Sequence, residues 1–70
     1  MDENKQKICD LLAEALRATR DHSDLTGIRY EMLGESTERT IVEYANGCTR
    51  VINVSMDSGT AMMLDILRHI

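Results

Sequence analysis

The dipeptide Asn46-Gly47 separates two stretches rich in β-branched and aromatic residues, at positions 39–44 and 48–55. Asn and Gly tolerate the positive φ that a tight reversal needs, so the pair predicts a β-hairpin with those stretches as its strands. Two registers compete. A two-residue Asn46-Gly47 loop pairs Ala45 with Cys48 and Val42 with Val51. A three-residue Ala45-Asn46-Gly47 loop, with Gly47 left-handed, pairs Tyr44 with Cys48. The second is preferred, because it gathers Val42, Tyr44, Cys48, Ile52 and Val54 on one apolar face. Arg50 shares that face near the hairpin end, where its stem can lie over the rim while its head reaches water.

Upstream, Ile28-Arg29-Tyr30-Glu31-Met32 alternates apolar and charged residues. It reads as a half-buried strand with Ile28, Tyr30 and Met32 inward. The polar run Gly34-Glu35-Ser36-Thr37-Glu38 is the turn that joins it to the hairpin. Before it, Ile8, Leu11, Leu12, Ala15 and Leu16 recur at helical spacing, with Lys7, Asp10, Glu14 and Arg17 on the other face. This predicts a helix over residues 3–21. Asp2 and Glu3 at its start and Arg17 and Arg20 near its end suit the helix dipole, and His22-Ser23-Asp24 with Gly27 marks its exit. After the hairpin, Asp57 or Ser58 N-caps a second helix that runs to the C-terminus, with Met62, Met63, Ile66, Leu67 and Ile70 as its stripe. The expected architecture is α+β in the order α-β-β-β-α. It is a three-stranded antiparallel meander with both helices packed on one face, forming a single domain over residues 1–70.

A chain of 70 residues without Phe or Trp must build its core from aliphatic side chains. Domains this small bury a modest share of their surface and often add disulfides, a metal or a second subunit. Cys9 and Cys48 are the only cysteines, neither is in a Cys-x-x-Cys pair, and nothing requires a bridge between them. The start, Met1-Asp2-Glu3-Asn4-Lys5, is polar and reads as no leader sequence, which points to a reducing cytoplasm with free thiols. Association is then the remaining way to bury more surface. No apolar run approaches the ~20 residues of a membrane span.

Candidate chemistry is sparse. Asp21, His22 and Asp24 are metal-competent, but neighbours on a helix do not face one point, so a polar helix terminus is the preferred reading. Asp57-Ser58-Gly59-Thr60 opens a helix where an anion could bind, yet Asp57 would repel a phosphate and capping explains the segment. Cys9 and Cys48 have no histidine, His22 or His69, at a spacing that would activate them, and Cys48 reads as a small core residue at the hairpin. Met32, Met56, Met62 and Met63 read as core filler ahead of an adaptable binding surface. No cofactor, metal or catalytic residue is assigned.

The order α-β-β-β-α is similar to that of double-stranded RNA-binding domains. Those domains carry a Lys-rich start to their last helix, where this chain has Asp57-Ser58-Gly59-Thr60-Ala61. The net charge of −4 also disfavours nucleic acid. The leading reading is a small protein–protein interaction or oligomerisation module without catalytic activity, a homodimer being its simplest form. Its candidate partner surface is the set of aliphatic residues left off the core: Leu33, Ile41 and Val51 on the outer sheet face and Leu64 on the second helix.

Overall fold

The computed structural model describes residues 3–70. It contains helix α1 (Glu3–Arg17), strands β1 (Leu25–Met32), β2 (Glu38–Tyr44) and β3 (Thr49–Asn53), and helix α2 (Gly59–His69). The strands form one antiparallel sheet in the order β1-β2-β3. The expected dipole partner Asp2 lies outside the described residues.

The hairpin closes in the three-residue register. Tyr44 N–H donates to the Cys48 carbonyl at 3.0 Å, and Gly47 N–H to the Tyr44 carbonyl at 3.0 Å. Gly47 has φ +89°, a conformation that only a residue without a Cβ adopts at little cost. Asn46 Oδ1 accepts from Cys48 N–H at 3.0 Å and stiffens the same turn. From there Val42 faces Arg50, Ile41 faces Val51 and Thr40 faces Ile52.

β1 begins three residues earlier than its alternation suggests. The register shifts between Leu25 and Gly27, so Thr26 is an extra residue opposite Tyr44 and Glu43. The bulge resets the side-chain parity, and Leu25 and Ile28 both point inward and are buried. A strict period of two cannot join residues three apart, which is why the pattern alone stops at Ile28.

α1 ends at Arg17, short of Asp21. Ala18 and Thr19 N–H groups bond back to the Ala15 and Leu16 carbonyls in a tightened last turn, and Thr19 Oγ1 donates to the Leu16 carbonyl at 2.7 Å. The buried line of α1 runs Cys9, Ala13 and Leu16, with Ile8 and Leu12 at its border. Leu11 and Ala15, expected on the stripe, face outward. Cys9 and Ala13, both small, lie at the centre of this buried line.

Ser58 is the N-cap of α2, its Oγ accepting from Ala61 N–H at 3.1 Å. Met62 and Ile66 are fully buried, and Leu67 is exposed, against expectation. The helix residues Cys9, Ala13, Leu16, Met62 and Ile66 form one core with Leu25, Ile28, Val42, Ile52 and Val54, so both helices pack on the same sheet face. Full burial of a side chain such as Ile66 contributes ~1.5–3 kcal/mol. Met32 at the end of β1 and Cys48 just ahead of β3 are exposed instead of lying in the core. Among the described residues no helix is long and apolar enough to cross a membrane.

Candidate functional site

An open sheet has two edges, and this one treats them differently. Along β1, the carbonyls of Thr26 and Ile28 and the N–H of Tyr30 turn away from β2. All three are bonded by α1. Arg17 Nη1 donates to the Thr26 carbonyl at 3.1 Å, Gln6 Nε2 donates to the Ile28 carbonyl at 3.1 Å, and Gln6 Oε1 accepts from Tyr30 N–H at 2.8 Å. The Gln6 carboxamide carries donor and acceptor in the arrangement of a peptide group, so it stands in for a neighbouring strand.

Among the described residues, none gives β3 such cover. The bonds Tyr44 N–H to Cys48 C=O and Val54 N–H to Glu38 C=O place the hydrogen-bonded pairs at even positions of β3. The N–H and C=O groups of Thr49, Val51 and Asn53 therefore point away from β2. No hydrogen bond to them comes from the described residues outside the strand ladder. Val51 stands on the outer face at this edge with 59% of its surface exposed.

The far end of β3 is anchored by a buried ionic cluster. Lys5 Nζ bonds Glu38 Oε1 and the Asp57 carbonyl, and Tyr30 Oη donates to the same Glu38 oxygen at 2.7 Å. Met56 N–H donates to Glu38 Oε2 at 3.1 Å, and Ser55 Oγ accepts from Glu38 N–H at 2.9 Å. Met56 is held at φ 65° and is 80% exposed, so the segment entering α2 bends sharply around the Glu38 carboxylate. Bonding from Lys5 and then from Tyr30 holds the Glu38 carboxyl below its usual range. Asp57 behaves in the opposite way. Burial, followed by the neighbouring Asp65 carboxyl through hydrogen bonding and charge, pushes it up to about 6. Among the described residues, Asp57 Oδ2 is buried without a hydrogen-bond partner.

Burial, and secondarily the charge of Asp10, raises the Cys9 thiol to about 11, so it is a core side chain and a poor nucleophile at neutral pH. Asp21, His22 and Asp24 lie in the turns after α1, and among the described residues no three His, Cys, Asp or Glu side chains are placed to hold a metal ion.

Of the residues expected to form a partner surface, Leu33, Val51 and Leu64 are exposed. Ile41 is not: it is 5% exposed. It does lie on the outer face beside Val51, but Arg29 crosses β1–β2 to Glu43 at 3.1 Å, and Arg39 crosses to Glu31 at 2.8 Å. The residues next to Ile41 on that face are these long side chains, and their aliphatic stems shield it. Nor do the four converge. Leu33 lies past the end of β1, and Leu64 is on α2, across the sheet from Val51.

Gln6 and the Glu38 cluster escaped the sequence reading, though signs were present. Lys5 shares a helical line with Cys9 and Ala13, and Glu38 shares the inward parity of Thr40 and Val42. A charge at a core position on each of two elements suggests a buried pair. Comparison of the chain with protein-family models, with curated proteins and with solved structures finds no match in any of the three.

Proposed function

We propose that the protein is an association module that works by strand addition, taking an extended segment of polypeptide onto the free edge of β3. The observation that carries this reading is the contrast between the two edges. Side chains of α1 bond three of the outward groups of β1, whereas none from the described residues bonds those of Thr49, Val51 and Asn53. Unpaired edges template pairing, and folded proteins usually blunt them with Lys, Pro or a bulge. β3, Thr49-Arg50-Val51-Ile52-Asn53, has no Lys, Pro or bulge, and the one blunting charge it carries is Arg50 on the inner face. The Glu38 cluster supports the reading by fixing the C-terminal end of the strand, so that an incoming segment meets a pre-ordered edge.

A reducing cytoplasm is the setting this reading favours, since Cys9 and Cys48 are free thiols and Cys48 is exposed next to the pairing edge. The test is selection of displayed random linear peptides on the protein diluted to its single-chain state, with counter-selection on Val51→Pro. Enrichment of β-branched, extended sequences that lose binding to Val51→Pro supports strand addition. A monomer that enriches no peptide refutes it.

A further inference from the structure

The free edge of β3 is complementary to itself, and we infer that its occupant is a second copy of this chain, paired antiparallel with Val51 on the two-fold axis. This deepens the strand-addition reading and rests on it. With Val51 opposite the partner's Val51, Thr49 falls opposite the partner's Asn53, and Asn53 opposite the partner's Thr49. All these residues present their N–H and C=O groups outward, so every opposed pair is of the hydrogen-bonded kind and exchanges two bonds. No other in-phase register engages the whole strand.

Side chains fit the same register. On the outer face Val51 meets the partner's Val51, and the apolar row that begins at the covered Ile41 continues across the axis into the other subunit. Thr49 meets the partner's Asn53, two polar side chains able to bond. On the inner face Arg50 falls opposite the partner's Ile52, whereas a slip by two residues would set Arg50 directly against the partner's Arg50. β3 carries no acidic residue, so the net charge of −4 on each chain is kept off the junction. The result is a continuous six-stranded sheet whose outer edges are the two β1 strands, each partly covered by Gln6 and Arg17. The pairing is isologous and uses the β3 edge of both chains, so assembly through this edge closes at two chains.

The experiment is light scattering over a concentration series under reducing conditions, on the intact chain and on Val51→Pro and Val51→Lys. The N–H of Val51 faces outward, so proline there removes an edge donor without taking a β2–β3 bond. The intact chain is expected to run at twice its 7.9 kDa chain mass. Val51→Pro should run at the single-chain mass with an unchanged far-ultraviolet circular dichroism spectrum. Val51→Lys, which keeps the N–H, should dissociate at least tenfold more readily and serves as the readout if the proline variant fails to fold. A dimer that persists in a folded Val51→Pro overturns the proposed pairing. A monomer up to millimolar concentration that still selects edge-binding peptides overturns the self-pairing and leaves strand addition standing. A monomer that selects none overturns both.

Discussion

Gln6→Ala tests whether a side chain really occupies the β1 edge. Gln6 makes two bonds to that edge, 3.1 Å to the Ile28 carbonyl and 2.8 Å from the Tyr30 N–H, and a third to Asp10 Oδ1 on its own helix. A net ~0.5–1.5 kcal/mol for each edge bond gives a loss of about 1–3 kcal/mol. The greater helix propensity of alanine returns a few tenths of a kcal/mol. The expected destabilisation is then about 1–2 kcal/mol, which lowers Tm by roughly 5–15 °C in a domain of this size. Circular dichroism melting supplies Tm. Amide hydrogen exchange supplies the specific readout, because the Tyr30 N–H should lose its protection while the Val42 N–H, inside the sheet, keeps its own relative to global unfolding. A Tm within about 2 °C of the parent, together with a Tyr30 amide still protected, would refute the capping argument. Gln6→Glu is the companion variant. It keeps the acceptor for Tyr30 but sets a carboxylate against the Ile28 carbonyl, so it should be destabilised at neutral pH and recover in acid as the introduced carboxylate takes up a proton.

The remaining expectations concern the ionic cluster and the core. Lys5→Met leaves the Glu38 carboxylate buried without its cation and should cost about 3–5 kcal/mol in urea unfolding at pH 7, less in acid where Glu38 is protonated. Asp57 has a folded pKa raised from the ordinary 3.8 to about 6, by burial and by Asp65, with Lys5 opposing and Glu38 adding. The folded state therefore binds more protons than the unfolded state between those values, and stability falls as pH rises through that window. Asp57→Asn should abolish the fall, matching the parent near pH 4 and exceeding it by ~1–2 kcal/mol at pH 7, with partial solvent screening included. Glu38 acts in the opposite direction, its stabilisation being lost as pH drops through its lowered pKa, so the parent's stability should peak between the two transitions. Thr40 is fully buried with Oγ1 unbonded, so the near-isosteric Thr40→Val should raise stability by ~1 kcal/mol, read as a higher Tm.

The hairpin shows how far local chemistry reaches. Asn46-Gly47 and the demand for one apolar face were enough to select the register, because a one-residue slip would move every side chain of a strand to the wrong side. The same parity placed Ile41 and Val51 on the outer face and side by side, but parity says nothing of exposure. Ile41 is covered because Arg29 and Arg39 each find a glutamate on the neighbouring strand, a fact of pairing between β1 and β2. Met32 and Cys48 have the inward parity of core residues and are still exposed, Met32 as the last residue of β1 and Cys48 just ahead of β3, so parity does not decide burial at the strand ends.

The order of elements, the meander, the hairpin register and the N-cap at Ser58 are all legible along the chain, because interactions among near neighbours set them. The rotation of α1, the bulge at Thr26, the Lys5–Glu38 anchor and the difference between the two sheet edges come into being only when the elements pack. Each of these depends on groups far apart in the chain, such as Gln6 against Ile28 and Lys5 against Glu38. A hydrogen bond that closes such a distance leaves no periodicity behind. Its only trace is a polar residue where an apolar one would serve, and its partner is chosen by the packing itself.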